Sequence, residues 1–366
     1  MSNIWSMFAT CLGFYQLLGL HWFIHKADRS SQFWTVLCVA INFCFVTVLL
    51  YWVYQNPTQV LFIDSVPGFL LDLFKFILVT VVYNSLLLEN CFNFRTLREV
   101  WKVLDQIRVR CIPCSKWSPL QRHHLTIVVC FLVHQAWWEL SFAYFVAPTV
   151  RGRNFTIIFW ILLMVLHLRQ LQILLYTDVV GFCLKQMNDQ LRWTIELSKG
   201  ASSYGGTRSD GQLCVQLAQL IDAFARIERL LGLLNRAFGY SFVMIKLIIH
   251  VYLLTDTYWI VYGILKGNVF EGLYLECCLL SKIIALMLNL HSNERIGQEC
   301  VRMRQLLHSV DLGWQMRCET GYQMVQNFLL KMESCQPLTL TAMGLFKMNY
   351  AIMMEVSRLV TQNLKP

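Results

Sequence analysis

Seven apolar runs, each close to or above the ~20 residues a helix needs to cross a bilayer, constrain what this chain can fold into. They are Phe33–Gln55, Val66–Leu88, Leu125–Ala147, Phe155–Leu184, Phe242–Leu265, Leu273–Leu290 and Leu338–Val360. Backbone polar groups have no water to bond in hydrocarbon, so such runs must satisfy them internally, as helices do. The fold expected is therefore an all-α integral membrane protein with seven transmembrane helices. Pro57, Pro67, Pro113, Pro119, Pro148, Pro337 and Pro366 all fall at span ends or in loops, where a missing N–H does least damage.

Composition supports lipid as the solvent, because 56% of residues are hydrophobic and 14% are charged. A soluble domain carries about 25% charged residues. The net charge of +9 does not point to nucleic acid, since the basic residues lie in loops and not on one amphipathic face. None of the 14 cysteines falls in a segment placed outside the cell, so no extracellular disulfide framework is expected.

Orientation follows from lysine and arginine placement. Residues 1–32, 91–124, 184–241 and 291–336 hold 21 of them, whereas the other loops and the carboxy terminus hold Arg151, Arg153, Lys266 and Lys365. The positive-inside rule makes the basic side cytoplasmic. The expected topology thus has an intracellular amino terminus and an extracellular carboxy terminus. Residues 1–32 then form a cytoplasmic or interfacial segment, with Ile4–Phe23 lying in the interface. Residues 33–290 hold the first six spans and their cytoplasmic extensions, 291–336 a cytoplasmic segment, and 337–366 the last span and a short end.

Below the bilayer, Gln212–Ala237 repeats Leu217, Leu220, Ile221, Phe224, Ile227, Leu230, Leu231 and Leu234 at helical spacing. Helices are expected to continue there into a cytoplasmic anchor region. Lys199–Gly211, rich in glycine and serine, reads as a flexible loop. Asn154-Phe155-Thr156 falls outside and has the pattern of a glycan acceptor.

No HExxH, phosphate loop, dinucleotide fingerprint or nucleophile elbow occurs, so neither an enzyme nor a cofactor is expected. Cys111 and Cys114 have the spacing of half a zinc site with no second pair, and no metal is expected. More informative are ionisable residues inside the spans, each of which costs ~2.5–3.5 kcal/mol at the bilayer centre unless it finds a partner or water. They include Asp72, Lys75, His134, Glu139, His167, Arg169, Asp178, Lys246, His250, Asp256, Glu276, Lys282, Lys347, Glu355 and Arg358. Asp72 with Lys75, and Glu355 with Arg358, are three apart and are expected to pair along one helix face.

The outer halves of the third to sixth spans combine aromatic rings with acids. Trp137, Trp138, Glu139, Tyr144, Phe159, Trp160, Asp256, Tyr258, Trp259, Tyr262 and Glu276 are the ligand-binding candidates. An interfacial aromatic belt accounts for rings near helix ends. It accounts less well for Trp137-Trp138-Glu139 and Asp256-Thr257-Tyr258-Trp259, where an acid lies beside the rings inside the membrane. Such a site suits either a sugar, through hydrogen bonds, or a cationic alkaloid, through the ring faces.

Tyr15-Gln16-Leu17-Leu18-Gly19-Leu20 before the first span, the long basic cytoplasmic segments, and Thr341-Ala342-Met343-Gly344-Leu345-Phe346-Lys347-Met348-Asn349 opening the last span form a pattern along nearly the whole chain. This pattern resembles the insect gustatory receptors. The resemblance implies a taste receptor subunit in the plasma membrane of gustatory sensory neurons. It further implies a ligand-gated, non-selective cation channel assembled as a homo- or hetero-tetramer through cytoplasmic helices. A small tastant would bind an outward-facing pocket in each subunit. The last span would line the pore, with Phe346, Asn349, Met353 and Thr361 as its candidates. The end departs from the family's Thr-Tyr, five apolar residues, Gln-Phe, with Thr361 alone matching. At ~1.5 Å per residue, some eight missing residues would shorten the outer pore helix by roughly 12 Å.

A G-protein-coupled receptor would also have seven helices, but its external amino terminus would put the basic segments outside, and the Asp-Arg-Tyr and Asn-Pro-x-x-Tyr signatures are absent. A transporter would show symmetric halves with paired broken helices, and neither is present in the sequence.

Overall fold

The computed structural model describes residues 29–60, 66–111, 117–146, 150–200, 207–267, 269–310, 319–334, 338–343 and 346–347, with residues 8, 12–16 and 19–20 of the amino-terminal segment. Helices dominate: α1 Arg29–Gln55, α2 Val66–Phe92, α3 Phe94–Cys111, α4 Trp117–Ser141, α5 Val150–Gly200, α6 Thr207–Leu265, α7 Val269–His308 and α8 Glu319–Ser334. A single 3-10 turn, Pro57–Gln59, follows α1, and α4 ends in a π turn at Phe142–Val146. Among the described residues, five stretches are long and apolar enough to cross a membrane: Phe33–Gln55, Val66–Phe92, Trp117–Phe145, Gly152–Glu196 and Cys214–Leu265. The sixth expected span, Leu273–Leu290, lies within α7.

Length explains the two-level architecture. At ~1.5 Å per residue the 51-residue α5 reaches about 77 Å, far beyond ~30 Å of hydrocarbon. The 59-residue α6 is longer still, and its Gln212–Ala237 portion is helical as its spacing predicts. Thr207–Gly211 belongs to the same helix and not to a loop.

Burial distinguishes centre from rim. Of α5's apolar window 78% is buried, against 17% of α1's. Leu162, Leu166, Leu171, Leu174 and Val180 seal α5 into the core, while Phe33, Ile41, Phe45, Val48 and Tyr51 of α1 point outward, as a lipid-facing helix requires.

The amino-terminal segment enters this core. Phe8, Leu12, Tyr15 and Leu20 are almost wholly buried, with the Phe8 ring edge-on to Trp117 at 6.0 Å and the Tyr15 hydroxyl 3.1 Å from His124 Nε2. Residues 12–16 end in a Schellman turn: Leu20 N–H donates to the Tyr15 carbonyl and Gly19 N–H to that of Gln16, both at 2.9 Å. The turn needs Gly19, whose φ is +70°. Its described residues are thus packed against protein.

A buried polar hub fixes that turn. Arg169 on α5, fully inaccessible, donates to Glu89 on α2 at 2.8 Å, to the Ser241 hydroxyl on α6 at 2.9 Å and to Gln172 at 2.8 Å, with a longer bond of 3.4 Å to the Leu20 carbonyl. Glu89 also accepts from the Ser241 N–H at 3.1 Å and from its hydroxyl. Gln172 and Asn90 complete the hub by donating to the Leu20 and Gly19 carbonyls at 3.0 and 2.7 Å.

The last expected span does not begin as a helix. Residues 338–340 are not helical, and Thr341–Ala342 pairs antiparallel with Phe346–Lys347 as a two-stranded ribbon, with Met343 at φ 53° following the first strand. Two asparagines take up backbone donors of this segment: Leu340 N–H donates to Asn293 at 2.9 Å, and Thr341 N–H to Asn235 at 2.8 Å. Residues 348–366 lie outside the described residues.

Gly239 on α6 makes room for this ribbon, since a Cβ there would stand 3.1 Å from the Met343 backbone nitrogen. Gly239→Leu is expected to destabilise by ~1–3 kcal/mol through overpacking, read as a lower thermal midpoint in detergent. Gly232→Leu on the same helix meets open space and should leave the midpoint near wild type.

Candidate functional site

Five helices bring buried charge together inside the bundle. α2 contributes Asp72 and Lys75, α4 Glu139, α5 Phe159 and His167, α6 Tyr252, Asp256 and Trp259, and α7 Lys282. At the centre the Asp256 carboxylate takes Lys75 at 2.6 Å on one oxygen and Lys282 at 3.5 Å on the other. All three side chains are at most 8% exposed.

Tyr252, one turn before Asp256, places its ring under both cations. Lys75 Nζ lies 4.2 Å and Lys282 Nζ 4.4 Å from its centroid, and Lys75 is also 5.1 Å from the Phe159 ring. The negative faces of the rings stabilise ammonium groups that have left water. Phe159 and Tyr252 pack with centroids 5.6 Å apart. Glu139, also buried, lies within electrostatic reach of Lys282, Asp256 and Lys75.

Asp72 does not pair with Lys75 as the three-residue spacing predicts. Its Oδ1 accepts from the Trp259 indole at 3.0 Å, because Lys75 reaches across to α6, where the carboxylate of Asp256 is better placed. Trp259 in turn packs edge-on with Tyr258 and Tyr262 at 5.4 and 5.6 Å.

Several polar atoms on these helices are buried with no hydrogen-bond partner among the described residues: Asp72 Oδ2, Tyr252 Oη, His167 Nε2 and Trp160 Nε1. His167 Nδ1 lies 3.2 Å from the Gln170 side-chain oxygen, an assigned orientation that puts the proton on Nδ1 and leaves Nε2 a bare acceptor. Two acceptors and two donors therefore remain to be satisfied, and buried groups of this kind ordinarily find a partner.

Of the ligand candidates named from sequence, Glu139, Phe159, Asp256 and Trp259 meet in this cluster. Trp138 bonds back to His134 at 2.9 Å on its own helix. Trp137 and Tyr144 point outward, 68% and 61% exposed, as aromatic-belt residues do. Tyr258 and Tyr262 stack on each other at 6.1 Å beside Trp259, and Trp160 is half-buried. Glu276 lies on α7 and Phe346 in the ribbon, but their side chains are outside the described residues, as are Asn349, Met353 and Thr361 altogether. Asn154 sits near the start of α5 and donates to the Gln59 carbonyl at 3.3 Å. Sequence reasoning left out Tyr252, whose signal was its place one turn before an intramembrane acid. It noted Lys75 and Lys282 as costly charges without assigning them to the site.

A family model described as 7tm chemosensory receptor matches residues 8–362 of the chain. The fold is similar to that of the insect olfactory receptor OR5 from Machilis hrabei, with a TM-score of 0.67 and 11% identity over 97% of this chain and 96% of that one. It is also similar to the same receptor in complex with eugenol, with a TM-score of 0.56 and 11% identity over 96% and 95% of the two chains. No curated protein sequence matches the chain.

Proposed function

The chain belongs to the 7tm chemosensory receptor family, and from that premise we propose that it is a gustatory receptor subunit in which a small tastant, bound at the Asp256 cluster, opens a non-selective cation pore. In this reading the amino terminus is cytoplasmic and the receptor is a homo- or hetero-tetramer at the surface of gustatory neurons. A receptor of similar fold is known in complex with eugenol, which supports a small-molecule ligand here.

The observation that carries the reading is the Lys75–Asp256–Lys282 bridge over Tyr252, a junction of three helices ringed by unpartnered polar atoms. A ligand that bonds these groups better in one helix arrangement shifts the closed–open equilibrium by that difference in affinity.

The same geometry favours one of the two ligand classes that the sequence leaves open. Resident ammonium groups already occupy the Tyr252 face and the Asp256 carboxylate, the two features an alkaloid cation would seek. What remains is hydrogen-bonding capacity at Asp72 Oδ2, His167 Nε2 and Tyr252 Oη. The ligand proposed is thus an uncharged molecule bearing hydroxyl groups.

Whole-cell recording from cells expressing the chain, alone and with related receptors, tests this. Sugars or neutral phenols should evoke current within milliseconds and without G-protein signalling, whereas protonated alkaloids should not. Tyr252→Phe should raise the half-maximal concentration ~3–10-fold, the worth of one hydrogen bond. Currents evoked by alkaloids alone, or silence from surface-delivered protein in every combination, would overturn the assignment.

A further inference from the structure

On α4 the exposed positions Thr126, Val129, Val133 and Trp137 recur three or four apart and trace one outward stripe. Leu280, Ile284 and Met287 trace another on α7. Continued toward the basic segments, the first stripe runs into Arg122 with His123 beside it, and the second into His291 and Arg295, all four exposed.

The two basic ends converge. Asp178 on α5 accepts from the Ser292 hydroxyl on α7 at 2.6 Å, tying α5 to α7 at this level. The same carboxylate lies within electrostatic reach of His123, Arg295 and His291. Basic side chains of α4 and α7 thus lie about one carboxylate, at the end of two largely apolar stripes. Neither the Asp256 cluster nor the Arg169 hub uses any of these residues.

We propose that this junction is a binding site for an anionic phospholipid, its phosphate headgroup held by Arg122, His123, His291 and Arg295 and its acyl chains lying along α4 and α7. The occupant follows from the pairing of the two features. A free anion has no use for the stripes, and a neutral lipid has none for the cations. A phosphodiester with a net negative charge uses both, and the basic segments face the leaflet in which such lipids carry a negative surface potential.

The test uses the full-length chain purified in mild detergent, with phosphatidylserine or phosphatidylcholine of matched acyl chains added, and reads the thermal midpoint together with native mass. Phosphatidylserine should raise the midpoint more and remain bound. Each basic residue is worth about fivefold in anionic-lipid affinity, so Arg122→Gln with Arg295→Gln should cut the preference about 25-fold. Arg122→Lys with Arg295→Lys keeps both charges and should retain most of it. Equal stabilisation by the two lipids, or an unchanged preference in the glutamine variant, overturns the proposal. So does a full shift from water-soluble glycerophosphoserine, which would mean a site that ignores the chains. A glutamine variant that changes oligomeric mass and leaves lipid preference intact would assign this face to contact between copies instead, and would equally overturn it.

Discussion

Arg169→Met is expected to abolish the folded receptor. The guanidinium is fully buried and serves four partners on three elements, α2, α5 and α6, as well as the amino-terminal turn. Removing it leaves Glu89 as a buried carboxylate whose remaining described bonds come from Ser241. Breaking a buried pair on one side costs ~3–5 kcal/mol, a large share of the ~5–15 kcal/mol that keeps a domain folded. Size-exclusion profiles in detergent and surface biotinylation should show aggregated, retained protein. Arg169→Met combined with Glu89→Leu removes both charges and should recover part of the loss, because the penalty lies in the orphaned charge more than in the lost attraction. A single variant with a wild-type midpoint would remove the hub from any account of stability.

Asp256→Asn should be nearly as damaging, and for a reason that also reaches function. It leaves two ammonium groups across a neutral amide, both within 4.4 Å of the Tyr252 ring centroid. Like charges in a low dielectric repel, and a cost of ~3–5 kcal/mol is expected, with poor surface delivery as its sign. Asp256→Asn combined with Lys75→Met restores the charge balance and should return the protein to the surface. Ligand-evoked current should not return with it, since the ion pair between α2 and α6 is then gone. A double variant that gates normally would show the bridge to be structural alone.

The spans were legible because hydrocarbon imposes a length and a composition that a one-dimensional reading captures. The same signal misled at Leu338. An apolar run specifies burial, not conformation, and the backbone there is taken by Asn235 and Asn293 from helices far earlier in the chain. The site was half legible for a similar reason. Spacing shows which residues are costly in lipid, so Asp72, Lys75, Glu139, Asp256 and Lys282 all stood out. It identifies partners only within one helix, and so it matched Lys75 to Asp72 when the true partner lies 181 residues away. Trp137 and Tyr144 show the converse limit. A ring two turns inside the membrane looks the same in sequence whether it faces the bundle or the lipid.

That separation of 181 residues also sets a clock. A ribosome adding ~5–20 residues per second needs about 10–40 s to travel from Lys75 to Asp256. For that interval α2 has been synthesised with its cation while the helix that neutralises it has not. Until the sixth helix arrives, Asp72, three residues away on the same span, is the acid within reach of Lys75. The pairing seen in the folded protein is then an exchange of partners, Asp72 for Asp256, completed only when the later helix packs.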